Sequence, residues 1–226
     1  AQKLQARHNF SRFFSVSFFD PSLFDTPNSF GVSVSHTERG KNQNSLWPFD
    51  TKNSRLSLRF GRRKLKWPDR NFRISWSYSH SLDQYFSDDK DKLIDYWQRS
   101  DNSIESYIEE ENNLYVFNTS GTSISQVITR DSRNRPEYST DGSQVNLTST
   151  LAGAFLGGNH NYLKNSFEIN SFSSPFSDKL VISQTFKVGS LNYIEAFDNG
   201  NSVIPISARY FMGGSGMSYG EMLRGY

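Results

Sequence analysis

The chain has 226 residues, a net charge of +2, no cysteine and 35% hydrophobic residues, with Phe 19 and Tyr 11 standing in for the usual aliphatic residues. No run approaches the ~18 apolar residues of a membrane helix, which excludes a helical membrane protein. The missing cysteines exclude a disulfide or thiolate framework, and the dispersed, near-neutral charge gives no reason to invoke nucleic acid. A membrane β-barrel passes these tests, because each of its strands shows only one apolar face and the average stays polar.

In chain order, the first strand signal is Phe10 to Phe18, where Phe14, Val16 and Phe18 alternate with Ser15 and Ser17. Asp20-Pro21 and Thr26-Pro27-Asn28 mark a turn, and Phe30, Val32 and Val34 alternate with Gly31, Ser33 and Ser35 on the return. The period of two and the turn chemistry predict a hairpin. Leu56, Leu58 and Phe60 continue the pattern, and a basic turn from Arg62 to Pro68 follows. In Phe72 to Ser79 one face is Phe72, Ile74, Trp76 and Tyr78 and the other Arg73, Ser75, Ser77 and Ser79. Such a face meets the core of a soluble sandwich or the lipid around a barrel, and periodicity does not separate the two.

Between Ser81 and Asn113 the alternation stops and the chain turns acidic, with Glu109-Glu110-Glu111 near its end. A solvated loop is expected there, with a short amphipathic helix around Leu93, Ile94 and Trp97. Further strands are expected at Thr119 to Arg130, Gln144 to Leu151, Tyr162 to Phe172, Lys179 to Val188 and Ile204 to Met212. About nine strands in successive hairpins make an antiparallel meander. Compact turns at Asp20 to Asn28, Arg62 to Asp69, Arg133 to Gly142 and Ser173 to Asp178 alternate with longer loops, which favours a membrane barrel. The expected fold is an all-β, antiparallel up-and-down transmembrane β-barrel, here a partial barrel.

The chain opens at Ala1 with neither an initiator Met nor the apolar core of a signal peptide, and it reads as an interior piece. It closes on a glycine loop with Gly213, Gly214, Gly216 and Gly220, which needs positive φ or close backbone approach. The loop ends in Leu223-Arg224-Gly225-Tyr226, where a guanidinium calls for an acidic partner. Thr140-Asp141-Gly142 reads as a structural turn, with Asp141 closing an Asx-type turn and Gly142 supplying positive φ. His8, His36, His80 and His160 show no ligand spacing, so no metal is expected. No nucleophile stands beside a base in sequence context, and neither an enzyme nor a cofactor is expected.

Three separated segments carry a family resemblance. Val16 to Phe24 leading into Phe30-Gly-Val-Ser-Val, Tyr138-Ser-Thr-Asp-Gly-Ser-Gln-Val-Asn-Leu147, and Tyr210-Phe-Met-Gly-Gly to Leu223-Arg-Gly-Tyr226 resemble the early hairpin, the Thr-Asp-Gly turn and the sixth loop of the BamA family of outer-membrane assembly factors. TamA and the organellar barrel insertases share its superfamily. The resemblance implies that residues 1–226 are part of one outer-membrane barrel domain ending in the glycine-rich loop 213–226, with the POTRA domains and remaining strands outside the chain. It implies that Arg224 meets acidic groups inside the barrel on a later strand. The implied function is assembly and insertion of β-barrel proteins into the bacterial outer membrane, with unfolded outer-membrane proteins as clients, the lipid bilayer as surroundings and accessory lipoproteins as partners. A polypeptide-translocating relative of the same superfamily and a passive porin-like channel are the alternatives.

Overall fold

The computed structural model describes residues 11–40, 49–65, 67, 69–97, 108–111, 113–177, 180–194, 203–205 and 208–210. The elements in order are β1 (Ser11–Asp20), β2 (Asn28–Arg39), β3 (Asp50–Arg62), β4 (Phe72–Ser87), α1 (Lys90–Trp97), β5 (Ile108–Glu111), β6 (Leu114–Asp131), β7 (Gly142–Ala152), β8 (Tyr162–Ser177) and β9 (Leu180–Tyr193). They form one antiparallel sheet in the order β1-β2-β3-β4-β6-β7-β8-β9, with β5 added beside β6. The path does not close among the described residues, and β1 and β9 are its two ends.

Register turns the alternation in each strand into two continuous faces. The row Phe18–Val32–Leu58–Tyr78–Ile124 runs unbroken across five strands, and Ile128–Leu147–Phe167–Val188 continues the band to β9. These side chains face outward: Val16 is 60% exposed at one end of the sheet and Val188 56% at the other. Phe60 stacks on Trp76 across β3 and β4, and Phe167 meets Phe186 edge-on across β8 and β9. A soluble monomer rarely exposes an apolar patch beyond about 300–600 Å². A band eight strands wide belongs against lipid, and the molecule is inside-out relative to a soluble sandwich.

The opposite face is hydroxyl-rich and lines the concave side. Ser79 and Ser123 share a hydrogen bond of 2.8 Å across β4 and β6, and Ser125 and Thr150 another across β6 and β7. Arg73 pairs with Asp131 at 3.3 Å and Lys187 lies 4.0 Å from Glu168 on this wall. The buried apolar residues are few: Phe117 and Val203 form a small cluster with Tyr85 and Ile108 against it.

Two expectations need correction. Glu109-Glu110-Glu111, expected in a loop, lie in β5. β7 pairs only the Ser123–Asp131 part of β6, and β5 takes up the free edge at Leu114 to Phe117; backbone hydrogen bonds need no side-chain period. The strand expected at Ile204 to Met212 is absent where the chain is described: Ile204 and Pro205 are irregular and Ala208 to Tyr210 form a bent turn. Pro205 has no N–H to give a ladder, and by Val203, which bridges to His160 rather than to β9, the chain already lies off the sheet on its inner side. The expected helix is present as α1, with Leu93 fully buried.

Candidate functional site

Two segments from the loop end fold onto the inner wall, and each lays a ring over a strand glycine. The first is the β7–β8 connection. Gly153 adopts φ +67, and a Cβ there would collide with Asn161 and the His160 carbonyl. The Asn161 side chain, fully buried, accepts the Ala154 N–H at 2.7 Å and donates to the Gly158 carbonyl at 3.4 Å. This internal clamp turns His160 back over β6. There the imidazole sits on Gly121, where a Cβ would lie 2.9 Å from its Cγ. Its Nε2 is 2.7 Å from Thr119 Oγ1. Backbone bridges Gly121–Gly158 and His160–Val203 fix the segment on both sides, and Val203 N–H donates to the Asn159 carbonyl at 2.7 Å.

His160 is 6% exposed. Burial pushes its imidazole below the ordinary range, with the Asp83 carboxylate opposing and the Arg55 guanidinium assisting. The ring is therefore neutral near pH 7 and joins a polar network rather than a charge pair. Asp83 is in turn held by Asn53 and by Ser81 Oγ at 3.1 Å.

The second segment follows β9. Tyr210 O–H donates to the Asn165 carbonyl at 2.9 Å, and Lys164 Nζ donates to the Ala208 carbonyl at 2.8 Å while lying 4.4 Å from the Tyr210 ring centroid. The ring covers Gly189 on β9, where a Cβ would come within 2.7 Å of the phenol oxygen. The Arg209 guanidinium donates to the Ile204 carbonyl at 3.1 Å and tightens the same bend.

The loop-tip residues Leu223, Arg224, Gly225 and Tyr226 and the loop glycines Gly213, Gly214, Gly216 and Gly220 lie outside the described residues. Thr140, Asp141 and Gly142 sit in the β6–β7 turn, at the opposite end of the sheet from the two ring seats. Gly142 has φ +99, and a Cβ there would meet the Ser132 carbonyl and lie 2.8 Å from Arg133 Cα. The Asx-type contacts come from Asn134, whose carboxamide oxygen accepts the N–H groups of Thr140 and Asp141 at 3.2 and 3.3 Å. Its amide donates to Thr140 Oγ1 at 2.7 Å. Among the described residues no three His, Asp or Glu side chains gather as a metal site.

Sequence reasoning missed His160, Tyr210 and Lys164. A signal was present in Gly121 and Gly189, since a glycine inside a strand marks close approach by another group, but the approaching ring comes from a distant segment.

No curated protein matches this chain by sequence. Among solved structures it is similar to the crystal structure of BamA from Haemophilus ducreyi lacking POTRA domains 1–3, with a TM-score of 0.68 and 17% identity. The match covers 91% of this chain and 37% of that chain, so the present sheet is a BamA-like barrel fragment spanning little more than a third of that structure's length. A family model described as the Omp85 superfamily domain matches residues 1–226, and the chain belongs to that superfamily.

Proposed function

We propose that this chain is the barrel core of a protein that assembles and inserts other β-barrel proteins into the bacterial outer membrane. The observation that supports this reading over a passive pore is the inward course of the chain after β9. Tyr210 and Lys164 hold it on the inner wall, and the next residues in sequence are the glycine loop and Leu223-Arg224-Gly225-Tyr226. A segment held on the inner wall narrows any channel through the barrel, and the guanidinium that follows it in sequence would couple the loop to the barrel wall on meeting an acidic partner.

The work is non-covalent. A strand edge offers unpaired N–H and C=O groups to an incoming strand, which adds by β-augmentation, and the barrel lowers the barrier to insertion by disturbing the bilayer beside it. The clients are unfolded outer-membrane proteins, and accessory lipoproteins are the natural partners on the aqueous side. The test is depletion of the full-length protein in its own cells, with the folded levels of unrelated outer-membrane barrels followed over time. A fall in several barrels together is expected; unchanged levels contradict the proposal.

A further inference from the structure

The lipid face is not apolar throughout, because one row of it changes character halfway round the sheet. Register aligns Phe30–Phe60–Trp76 across β2, β3 and β4, and the same row continues as Gln126–Ser149–Asn165–Ser190 across β6, β7, β8 and β9. One pleat towards the loops stand Ile124, Leu151 and Leu163, and one pleat towards the turns stand Ile128, Leu147 and Phe167. Gln126, Ser149 and Asn165 are therefore polar side chains set inside the apolar band, on a face where Leu147 is 41% exposed.

The row is inclined to the membrane. Barrel strands tilt by ~35–45°, and the band follows them: it lies at Phe14 to Phe18 on β1 but at Leu180 to Val188 on β9, where Ser190 and Asn192 beyond it are polar. With strands ~4.8 Å apart, the row descends by roughly 9 Å from the loop-side edge of the band at Ser190 to its middle at Gln126. Hydrocarbon supplies no hydrogen bonds there, and polar side chains at such depth face a partner far more often than lipid. Ser149 Oγ donates to Asn165 Oδ1 at 2.7 Å. Among the described residues no hydrogen bond engages the Asn165 amide N–H groups or the Gln126 carboxamide. The outward faces of β7, β8 and β9 carry no Lys, Arg, Asp or Glu, so nothing on them holds a lipid phosphate.

We propose that the face from β6 to β9 docks a second copy of the protein across a two-fold axis along the membrane normal. A copy in the same membrane brings its own row to the same depth. A carboxamide is donor and acceptor at once, so this row complements itself, and a neutral face meets its copy without like-charge repulsion. Because each row is inclined, the two facing rows cross, and Ser149 and Asn165, in the middle of the row, lie at the crossing. Each Asn165 Oδ1 keeps a lone pair beside its Ser149 bond and accepts an amide N–H from the other copy. This rests on the membrane-barrel fold and not on the insertase reading, so a depletion experiment that overturned the latter would leave it standing.

The test is disulfide formation with copper-phenanthroline in native membranes, using the full-length protein in an otherwise cysteine-free background. Ser149→Cys is compared with Val34→Cys, which lies on the lipid face of β2, and each variant is checked for folding by its resistance to unfolding in cold detergent. A covalent adduct of twice the protein's mass is expected with Ser149→Cys, well above the yield with Val34→Cys. Adding Asn165→Leu to Ser149→Cys is expected to lower that yield about 5-fold, because it removes the amide pair from both copies. No adduct, or equal yields at the two positions, overturns the proposal and leaves the row facing lipid. An adduct of any other mass also overturns it, since the occupant would then be a different membrane protein, and so does a yield that Asn165→Leu leaves unchanged.

Discussion

His160 and Tyr210 reach the inner wall by the same device, a ring laid over a strand glycine, yet the two seats differ in depth. Gly121 lies within β6 in the middle of the sheet, and the His160 segment is clamped by Asn161, by Thr119 and by two backbone bridges. Gly189 lies on β9 at the end of the sheet, and Tyr210 remains 46% exposed with one hydrogen bond and one cation above it. A glycine in the wall makes room for a ring in either case. Water exclusion and the number of satisfied polar groups decide how tightly the ring is held.

The sharpest way to break this comparison is to fill the deeper seat. Gly121→Val drives a side chain into the His160 ring, whose clamped segment has nowhere to swing, and a loss of about 3 kcal/mol is expected from overpacking a site that does not relax. Denaturant unfolding of the full-length protein in detergent measures it, and a change within ~0.5 kcal/mol, the size of an ordinary surface substitution, would equate the two seats.

Acidification separates them next. Because His160 binds a proton more weakly when buried than when released, the opened state takes up the proton first as pH falls below about 6.5. The seat is fully stable above that value, weakens by at most about 1.4 kcal/mol per pH unit below it, and levels off beneath the depressed folded value. The protection factors of residues 153–161, that is, exchange corrected for the intrinsic pH effect, are expected to fall over this window in the wild type and to lose that dependence in His160→Gln. The described contacts of the Tyr210 seat include no imidazole or carboxylate, so its exchange should follow only the intrinsic pH effect.

The smallest effect falls on the shallow seat. Tyr210→Phe removes one hydrogen bond to the Asn165 carbonyl while keeping the ring over Gly189, and about 1 kcal/mol is expected to be lost. Faster protease cleavage after β9, with unfolding of the sheet unchanged, is the readout. A global loss of stability in this variant would place the Tyr210 seat on the same footing as His160.

Much of the fold was legible because its outer band is a simple alternation. Phe14-Ser15-Val16-Ser17-Phe18 and Ile74-Ser75-Trp76-Ser77-Tyr78 state strand, face and register partner type at once. The strand ends were not legible: β4 runs on through Asp83-Gln84-Tyr85 and β6 begins at Leu114-Tyr115-Val116-Phe117, where apolar and polar side chains no longer alternate and the period disappears. Glu109-Glu110-Glu111 has no period at all, and only a backbone edge left free by β7 makes it a strand. Ile204 and Tyr210 carry strand-like residues but stand after the sheet's last described partner, and Pro205 between them has no N–H for a ladder. Of the site, Gly142 was readable from its own turn. The rings over Gly121 and Gly189 were not, because a strand glycine signals an approach without saying what approaches.

The most direct measurement for the account is a disulfide across the shallow seat, since the inward course of the chain after β9 supports the proposed function. The chain has no cysteine of its own, so Gly189→Cys with Tyr210→Cys introduces a single pair in this region of the full-length protein in native membranes. Rapid, near-complete oxidation of this pair is expected, while Val188→Cys with Tyr210→Cys, with Val188 on the lipid face, stays reduced. Oxidation of the Val188 pair, or none at Gly189, would show that the chain does not enter the lumen there and would contradict the account.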